Sequence, residues 1–204
     1  MRLVILGAGQ QGRVCRKLAA ETGYEPYAFV DDFKEGEVEG LPVYRRIEDV
    51  PGYEDCKYHV GIGKIEPRKK YCEELARLGL GTVNLIDPTA VIEEGAEIGT
   101  GNYIYKFAII YASAKVGDNN IINCKAVLAT DSRIGDNNNI SMGCNICGGV
   151  QIGNNCYIGC QSSVVSGKRI GNDAVVGAGS VVLDDIREGM FVVGAPAMRK
   201  ERRR

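Results

Sequence analysis

From residue 86 onward the chain repeats every six residues. An aliphatic side chain stands at Ile86, Ile92, Ile98, Ile104, Ile110, Val116, Ile122, Leu128, Ile134, Ile140, Ile146, Ile152, Ile158, Val164, Ile170, Val176 and Val182, without a miss or an insertion. Neither the period of an α-helix nor the alternation of a sheet meander sustains such a run; a hexapeptide solenoid does. The position two before each aliphatic is mostly small (Ala90, Ala96, Ala108, Ala114, Ala126, Ser132, Ser162, Ala174, Ser180). A bulky and a small inward residue together fill a narrow prism without overpacking it. A second register sets the coil length. Gly99, Gly117, Gly135, Gly153 and Gly171 recur at every third hexad, as do Gly101, Asn119, Asn137, Asn155 and Asp173. The second set holds residue types that tolerate left-handed backbone angles, so it marks one corner of a three-sided coil. Asn102, Asn120 and Asn138 share that spacing and are expected to form a side-chain ladder.

The stretch 1–83 reads differently. Residues 2–6 form a continuous apolar run suited to a buried parallel strand, followed by Gly7-Ala8-Gly9-Gln10-Gln11-Gly12 and a helical stretch over 13–22. Residues 27–30 predict a second strand ending at Asp31-Asp32, and 59–62 another, closed by Gly63. Residues 67–78 predict an amphipathic helix with Gly79 and Gly81 past its end, and 84–88 a hinge. The expected organisation is a small Rossmann-like α/β domain over 1–83, an all-β parallel helix of hexapeptide repeats over 84–188, and a C-terminal tail over 189–204.

Composition changes this picture little. A net charge of −1 gives no global field for nucleic acid or an anionic membrane, and the basic run Arg202, Arg203, Arg204 is local, with a frayed end expected there. No apolar stretch is long enough to span a membrane and the N-terminus has no signal-peptide pattern, so a cytoplasmic protein is expected, with its eight cysteines reduced.

The glycine loop carries the first candidate chemistry. Glycines allow close backbone approach to a diphosphate at a helix N-terminus, and Asp31, about 20 positions on, suits a ribose hydroxyl. The span before the repeat is short, and a dinucleotide fold needs two mononucleotide halves. One half points to a nucleoside diphosphate such as a UDP-sugar rather than NAD. A turn that only packs helix on strand is the alternative.

The segments LGAGQQGR, FVDDF (29–33), GIGKIEPRKK (61–70), VNLIDPTAVI, IINCKAV and VVGAPAMRK resemble, in order and spacing, the sialic acid O-acetyltransferase family of sugar acyltransferases. Within it the chain is most similar to UDP-amino-sugar N-acetyltransferases of the bacillosamine type. The resemblance implies a left-handed β-helix, against the usual right-handed preference of parallel crossovers. It also implies acetyl-CoA as co-substrate without a metal, and a homotrimer with active sites between subunits. Gly9, Gln10 and Gln11 would meet the diphosphate, Asp31 and Asp32 the uridine side with Gly63 nearby, and Asn123 the sugar. Gly148 would offer its amide to the acetyl carbonyl. Asn139, Cys160 and Ala178 would line the CoA groove.

One departure bears on the chemistry. The family's catalytic His-acid pair reads Thr130-Asp131 here, its second His is Asn139, and its glycine-loop His is Gln11. The chain's single histidine, His59, falls on a predicted strand and reads as structural. A general base is worth typically 10²–10⁴ in rate, and a hydroxyl needs it more than an amine, of which a fraction is neutral at pH 7. Losing the His therefore points to N-acetylation, with Asp131 as candidate base if burial raises its affinity for protons, and Thr130 orienting water or substrate. The alternative is a catalytically impaired β-helix that binds nucleotide sugar or CoA without turnover. A zinc enzyme built on three histidines is excluded by the single His. Cys144, Cys147, Cys156 and Cys160 fall in conflicting hexad registers, so they read as free thiols rather than metal ligands.

Overall fold

The structure, a computed structural model, describes residues 1–201. Arg202, Arg203 and Arg204, expected as a frayed end, lie outside the described residues. The chain divides into two compact units, Met1–Asp87 and Pro88–Arg204. The division falls inside the expected hinge, 84–88.

In the first unit, β1 (Arg2–Leu6) is an interior strand of a five-stranded sheet, parallel to both neighbours. On one side lies β5 (Lys57–Val60); on the other are β2 (Glu25–Val30), β4 (Leu41–Tyr44) and an edge strand, β3 (Gly36–Val38), antiparallel to β4. Val4, Leu6, Ala28, Val30, Tyr58 and Val60 form the core with Tyr71 and Leu75. The latter two belong to α2 (Ile65–Arg77), which starts two residues earlier than predicted, leaving Pro67 in its first turn, where a missing N–H costs no helical bond. The other helix, α1 (Gln10–Glu21), likewise starts before the predicted Arg13, so Gln10 and Gln11 belong to the helix rather than to the loop. The hairpin of β3 and β4 has no counterpart in the sequence reading; its strands are short, largely exposed and interrupted by Pro42.

The second unit is a parallel β-helix, and its hexapeptide coils fit the left-handed winding expected of them. Each repeating aliphatic is the second residue of a two-residue strand. Strands one coil apart, three hexads along the chain, pair in parallel, as in Ile109↔Val127, Lys115↔Arg133 and Ile121↔Asn139, and build three flat walls. Wall 1 contains Ile104, Ile122, Ile140, Ile158 and Val176. Wall 2 contains Ile92, Ile110, Leu128, Ile146, Val164 and Val182. Wall 3 contains Ile98, Val116, Ile134, Ile152 and Ile170. In the central coils these side chains are at most 5% exposed, as are the small partners Ala108, Ala126, Ser132, Ser162 and Ala174. Each buried aliphatic contributes about 1.5–3 kcal/mol.

From Ile92 to Val176 each corner turns through a left-handed residue three positions after the aliphatic. At the wall 3-to-1 corner these are the expected Gly101, Asn119, Asn137, Asn155 and Asp173, with φ between 56° and 69°. The other two corners do the same with Phe107, Lys125 and Gln161, or with Ser113 and Asp131, types that do not announce a left-handed turn. The asparagine ladder forms at the first of these corners. Asn120 and Asn138 amides donate to Asn102 Oδ1 and Asn120 Oδ1 at 2.9 and 2.8 Å, and Cys156 N–H donates to Asn138 Oδ1 at 2.6 Å, all four residues fully buried.

The stretch from residue 189, expected as a tail, carries ordered strands. Phe191–Val193 pairs in parallel with wall 1 through Val175↔Phe191, and Met198–Arg199 folds back antiparallel to it. The pattern was unreadable because the hexad stops after Val182 and the last strands follow a different spacing.

Candidate active site

The N-terminal unit holds a cleft of about 730 Å³ at the carboxyl ends of β1, β2 and β5. Its lining includes every residue expected there: Gly9, Gln10, Gln11, Asp31, Asp32 and Gly63. The glycines divide the work. A Cβ on Gly12 would lie 1.8 Å from Gly7 O, and one on Gly61 2.7 Å from Gly12 Cα, so these two let helix and strands touch. Gly9 meets nothing within 4 Å and leaves its space to the cleft. It is also the N-cap of α1, with no side-chain cap and no acidic residue in the first turn. The free amides and the positive end of the helix dipole there suit an anion.

The two aspartates differ. Asp31 Oδ2 accepts the Ala8 N–H at 2.7 Å, and its Oδ1 accepts the N–H groups of Phe33 and Lys34 at 2.9 and 3.0 Å. Asp31 therefore ties the glycine loop to the end of β2. Asp32 is more exposed; it accepts from Tyr71 OH at 2.9 Å and Lys70 Nζ at 3.3 Å. Burial, reinforced by Asp32, pushes the Tyr71 phenol up, so it stays a donor.

Two further cleft features were missed in the sequence. Arg68, 1% exposed, donates from Nη1 to Ile62 O at 3.0 Å and Gly63 O at 3.2 Å, fixing the loop after β5. Burial lowers its guanidinium to about 10, still protonated at neutral pH. Phe33, on the opposite lip, is 90% exposed. A charged residue in an amphipathic helix and an aromatic in a loop give no periodic signal that sets them apart.

His59 sits in β5 opposite Ile5, 1% exposed, with Nδ1–H donating to Val83 O at 2.9 Å. Burial holds its imidazole down at about 4, so it is neutral and closed to solvent.

On the β-helix the expected residues fall on separate edges. Thr130, Asp131 and Gly148 share the wall 2-to-3 corner, where Gly149 N–H donates to Thr130 O at 3.0 Å. Asp131 and Thr130 are both exposed, and Asp131 carries the φ of 61° that the corner requires. In the single chain Asp131 lacks the burial on which its expected role as base depends. The Gly148 N–H donates to no acceptor among the described residues, while the Gly148 carbonyl accepts from Gly167 N–H at 3.0 Å. Asn123, Cys160 and Ala178 line the wall 1-to-2 corner; Gly179 N–H donates to Cys160 O at 2.8 Å, stacking the last two. Asn139 faces outward from wall 1 between Ile121 and Tyr157. A groove of about 630 Å³ on wall 3, lined by Lys115, Arg133 and Arg169 among others, contains none of these residues. All eight cysteines are free thiols. Burial raises Cys144 and Cys156 to about 11, and their Sγ atoms donate to Gly159 O and Gly171 O at 3.1 Å.

Two family models match the chain: the PglD N-terminal domain over residues 2–75, and the bacterial transferase hexapeptide (six repeats) over residues 131–166. The fold is also similar to solved structures along its whole length. A histidine-to-asparagine variant of perosamine N-acetyltransferase from Caulobacter crescentus, in complex with CoA and GDP-perosamine, is 29% identical with a TM-score of 0.94, over 99% of this chain and 98% of that one. The acetyltransferase domain of PglB from Neisseria gonorrhoeae is 31% identical with a TM-score of 0.92, over 98% and 99%. WeeI from Acinetobacter baumannii is 25% identical with a TM-score of 0.90, over 98% and 100%. With a PglD-type N-terminal domain, a hexapeptide β-helix and end-to-end similarity to sugar N-acetyltransferases, this chain belongs to the hexapeptide-repeat sugar acyltransferases, in their bacillosamine-type branch.

Proposed function

We propose that the protein is an acetyl-CoA-dependent N-acetyltransferase acting on a nucleotide-linked amino sugar, working in the cytoplasm as a homotrimer with its active sites between subunits. The N-terminal unit is read as a Rossmann-like nucleotide-sugar domain. Its cleft takes the diphosphate on the α1 amides at Gly9, Gln10 and Gln11. Asp31 and Asp32 lie on the nucleoside side and Gly63 on the opposite lip. Support for the co-substrates comes from the similar proteins. The perosamine N-acetyltransferase holds CoA and GDP-perosamine, and the PglB domain holds acetyl coenzyme A.

The observation that carries the reading is the free amide of Gly148, on the same corner as Thr130. A preorganised backbone N–H without an internal partner is what the developing oxyanion of a thioester needs. In this reading Asn139, Cys160 and Ala178 line the CoA path. They lie on other edges of the same prism, as expected if a neighbouring copy completes the groove. Asn123 meets the sugar.

The base is the weak part of the constellation. Thr130 has no basic atom, Asp131 is exposed, and His59 is sealed in the first unit. The substrate amine, taken from its neutral fraction, attacks the thioester carbonyl. The tetrahedral intermediate expels CoA thiolate, and the amine's proton leaves to solvent or to Asp131. A hydroxyl under the same conditions lacks a group to remove its proton.

The test is release of free thiol from acetyl-CoA by the purified protein, given a panel of UDP-, GDP- and dTDP-amino-sugars. Thiol release dependent on one of these sugars is expected. Binding of nucleotide sugar and CoA with no thiol released would establish the second reading, a protein that binds without turnover; the lack of a basic atom on Thr130, where the family's catalytic His stands, favours that reading.

A further inference from the structure

We infer that Phe33 is the stacking platform for the nucleobase and, with it, the main source of affinity for the nucleoside half of the substrate; this rests on the reading of the cleft as a nucleotide-sugar site. Phe33 and Met1 are the exposed large hydrophobic residues of the N-terminal unit, and Met1 is the chain end. A single exposed apolar side chain is ordinary on a protein surface. Phe33 differs in its setting. It lines the cleft, at 90% exposure, so its ring is presented to whatever enters. Its backbone is held rather than loose, because Asp31 Oδ1 accepts both its N–H and that of Lys34. The same carboxylate, through Oδ2, accepts the Ala8 N–H of the glycine loop, and Lys34 Nζ donates to Ala8 O at 2.8 Å. The ring is thereby referenced to the anion-binding end of α1 through two short links.

The direction of the nucleotide follows from what the two lips offer. On the β5 side the cleft presents Gly63, Lys64 and Pro67, a glycine, a cation and an apolar ring without a π face. Tyr71 also lines the cleft, yet it is 5% exposed with its hydroxyl on Asp32, so its face is not available. Among the described residues of the cleft, Phe33 is the one aromatic face open to a planar base. With the diphosphate on the α1 amides, the nucleoside therefore runs toward β2 and the sugar toward β5. A π face accepts any base, so Phe33 supplies affinity and leaves the choice of base to other groups.

The test separates the inference from the reading beneath it. Titration calorimetry would compare UDP, GDP and dTDP with inorganic pyrophosphate, which has charge but no base, on the full-length protein and on Phe33→Ala and Phe33→Tyr. The inference predicts that Phe33→Ala weakens at least one nucleoside diphosphate by about tenfold or more, leaves pyrophosphate unchanged, and that Phe33→Tyr restores the loss. In turnover the Ala variant raises KM for the nucleotide sugar with little change in kcat. Nucleoside diphosphates that bind wild type and Phe33→Ala equally would overturn the inference while leaving the cleft's function standing. A wild-type protein that binds none of them would remove both.

Discussion

Two corners of the same prism have the same backbone and opposite finish. At the wall 3-to-1 corner four successive outward amides are closed by a side chain from the next coil. Thr100, Asp118, Asp136 and Asn154 N–H groups donate to Asp118, Asp136, Asn154 and Asn172 Oδ1 at 2.7–2.8 Å. Inside it runs the buried ladder of Asn102, Asn120 and Asn138. At the wall 2-to-3 corner the equivalent amide of Gly148 has no acceptor among the described residues, because the next coil carries Ser166 where the closed corner carries Asp or Asn. The hexapeptide coil creates an outward amide at each turn, and sequence decides whether the fold consumes it. Where the next coil carries Asp or Asn the amide stabilises the stack; at Gly148 it stays available for chemistry.

The largest expected effect separates the two uses. Gly148→Pro deletes the open amide without removing an internal hydrogen bond. It should lower kcat by about 10²–10³, the typical cost of losing one oxyanion donor, while Gly148→Ala, which keeps the N–H, loses far less. Equal losses in the two variants would show that space, not the amide, matters at this corner. Thermal unfolding of both checks that the coil survives.

The next effect lies in the N-terminal unit, where a buried imidazole makes stability sensitive to acid. His59 binds its proton at about 4 when folded against an ordinary value of 6.5. Between those values the unfolded chain holds a proton that the folded chain does not. Stability therefore falls as pH drops from 6.5 toward 4, by up to about 3 kcal/mol in all. Denaturant titrations of wild type and His59→Gln across that range should show the slope flattening in the variant. An unchanged slope would assign it to carboxylates.

Gly135 tests the closed corner. A Cβ there would lie 2.2 Å from Asn154 Oδ1 and 2.8 Å from Gly153 O. Gly135→Ala should cost about 1–3 kcal/mol of stability with kcat per folded molecule unchanged, the reverse of Gly148→Pro. Smallest of all is Asp131→Asn. Asn tolerates the left-handed corner, and an exposed carboxylate contributes little as a base, so turnover should fall by less than about tenfold. A hundredfold loss would identify Asp131 as the base.

The contrast between corners also explains what could be read in advance. The aliphatic series marked each coil strand because an inward position tolerates few residue types. The closed corner was legible through Asn119, Asn137 and Asn155, whose side chains favour left-handed angles. Phe107, Lys125, Asp131 and Gln161 adopt the same angles under the compulsion of the neighbouring coils, and no local propensity reveals that. In the cleft, the glycine motif pointed to an anion at the start of α1 through a known backbone requirement, and the family resemblance implied Gly9, Gln10 and Gln11. Arg68 and Tyr71, which brace the cleft, became visible only when burial and hydrogen bonds were in place. The dual task of Asp31, bonding both Ala8 and Phe33, is a tertiary fact with no sequence signature.

Underlying all of this is one chemical claim: an open backbone amide without an imidazole suffices for an amine and not for an alcohol. Its most direct measurement is the rate of acetyl transfer from acetyl-CoA to a nucleotide-linked amino sugar and to the same sugar with hydroxyl in place of the amine. The amine should react faster by at least about a hundredfold, the lower range of what a general base supplies. Comparable rates, or a faster hydroxyl, would contradict the claim and mean that the site holds a base not among the groups named above.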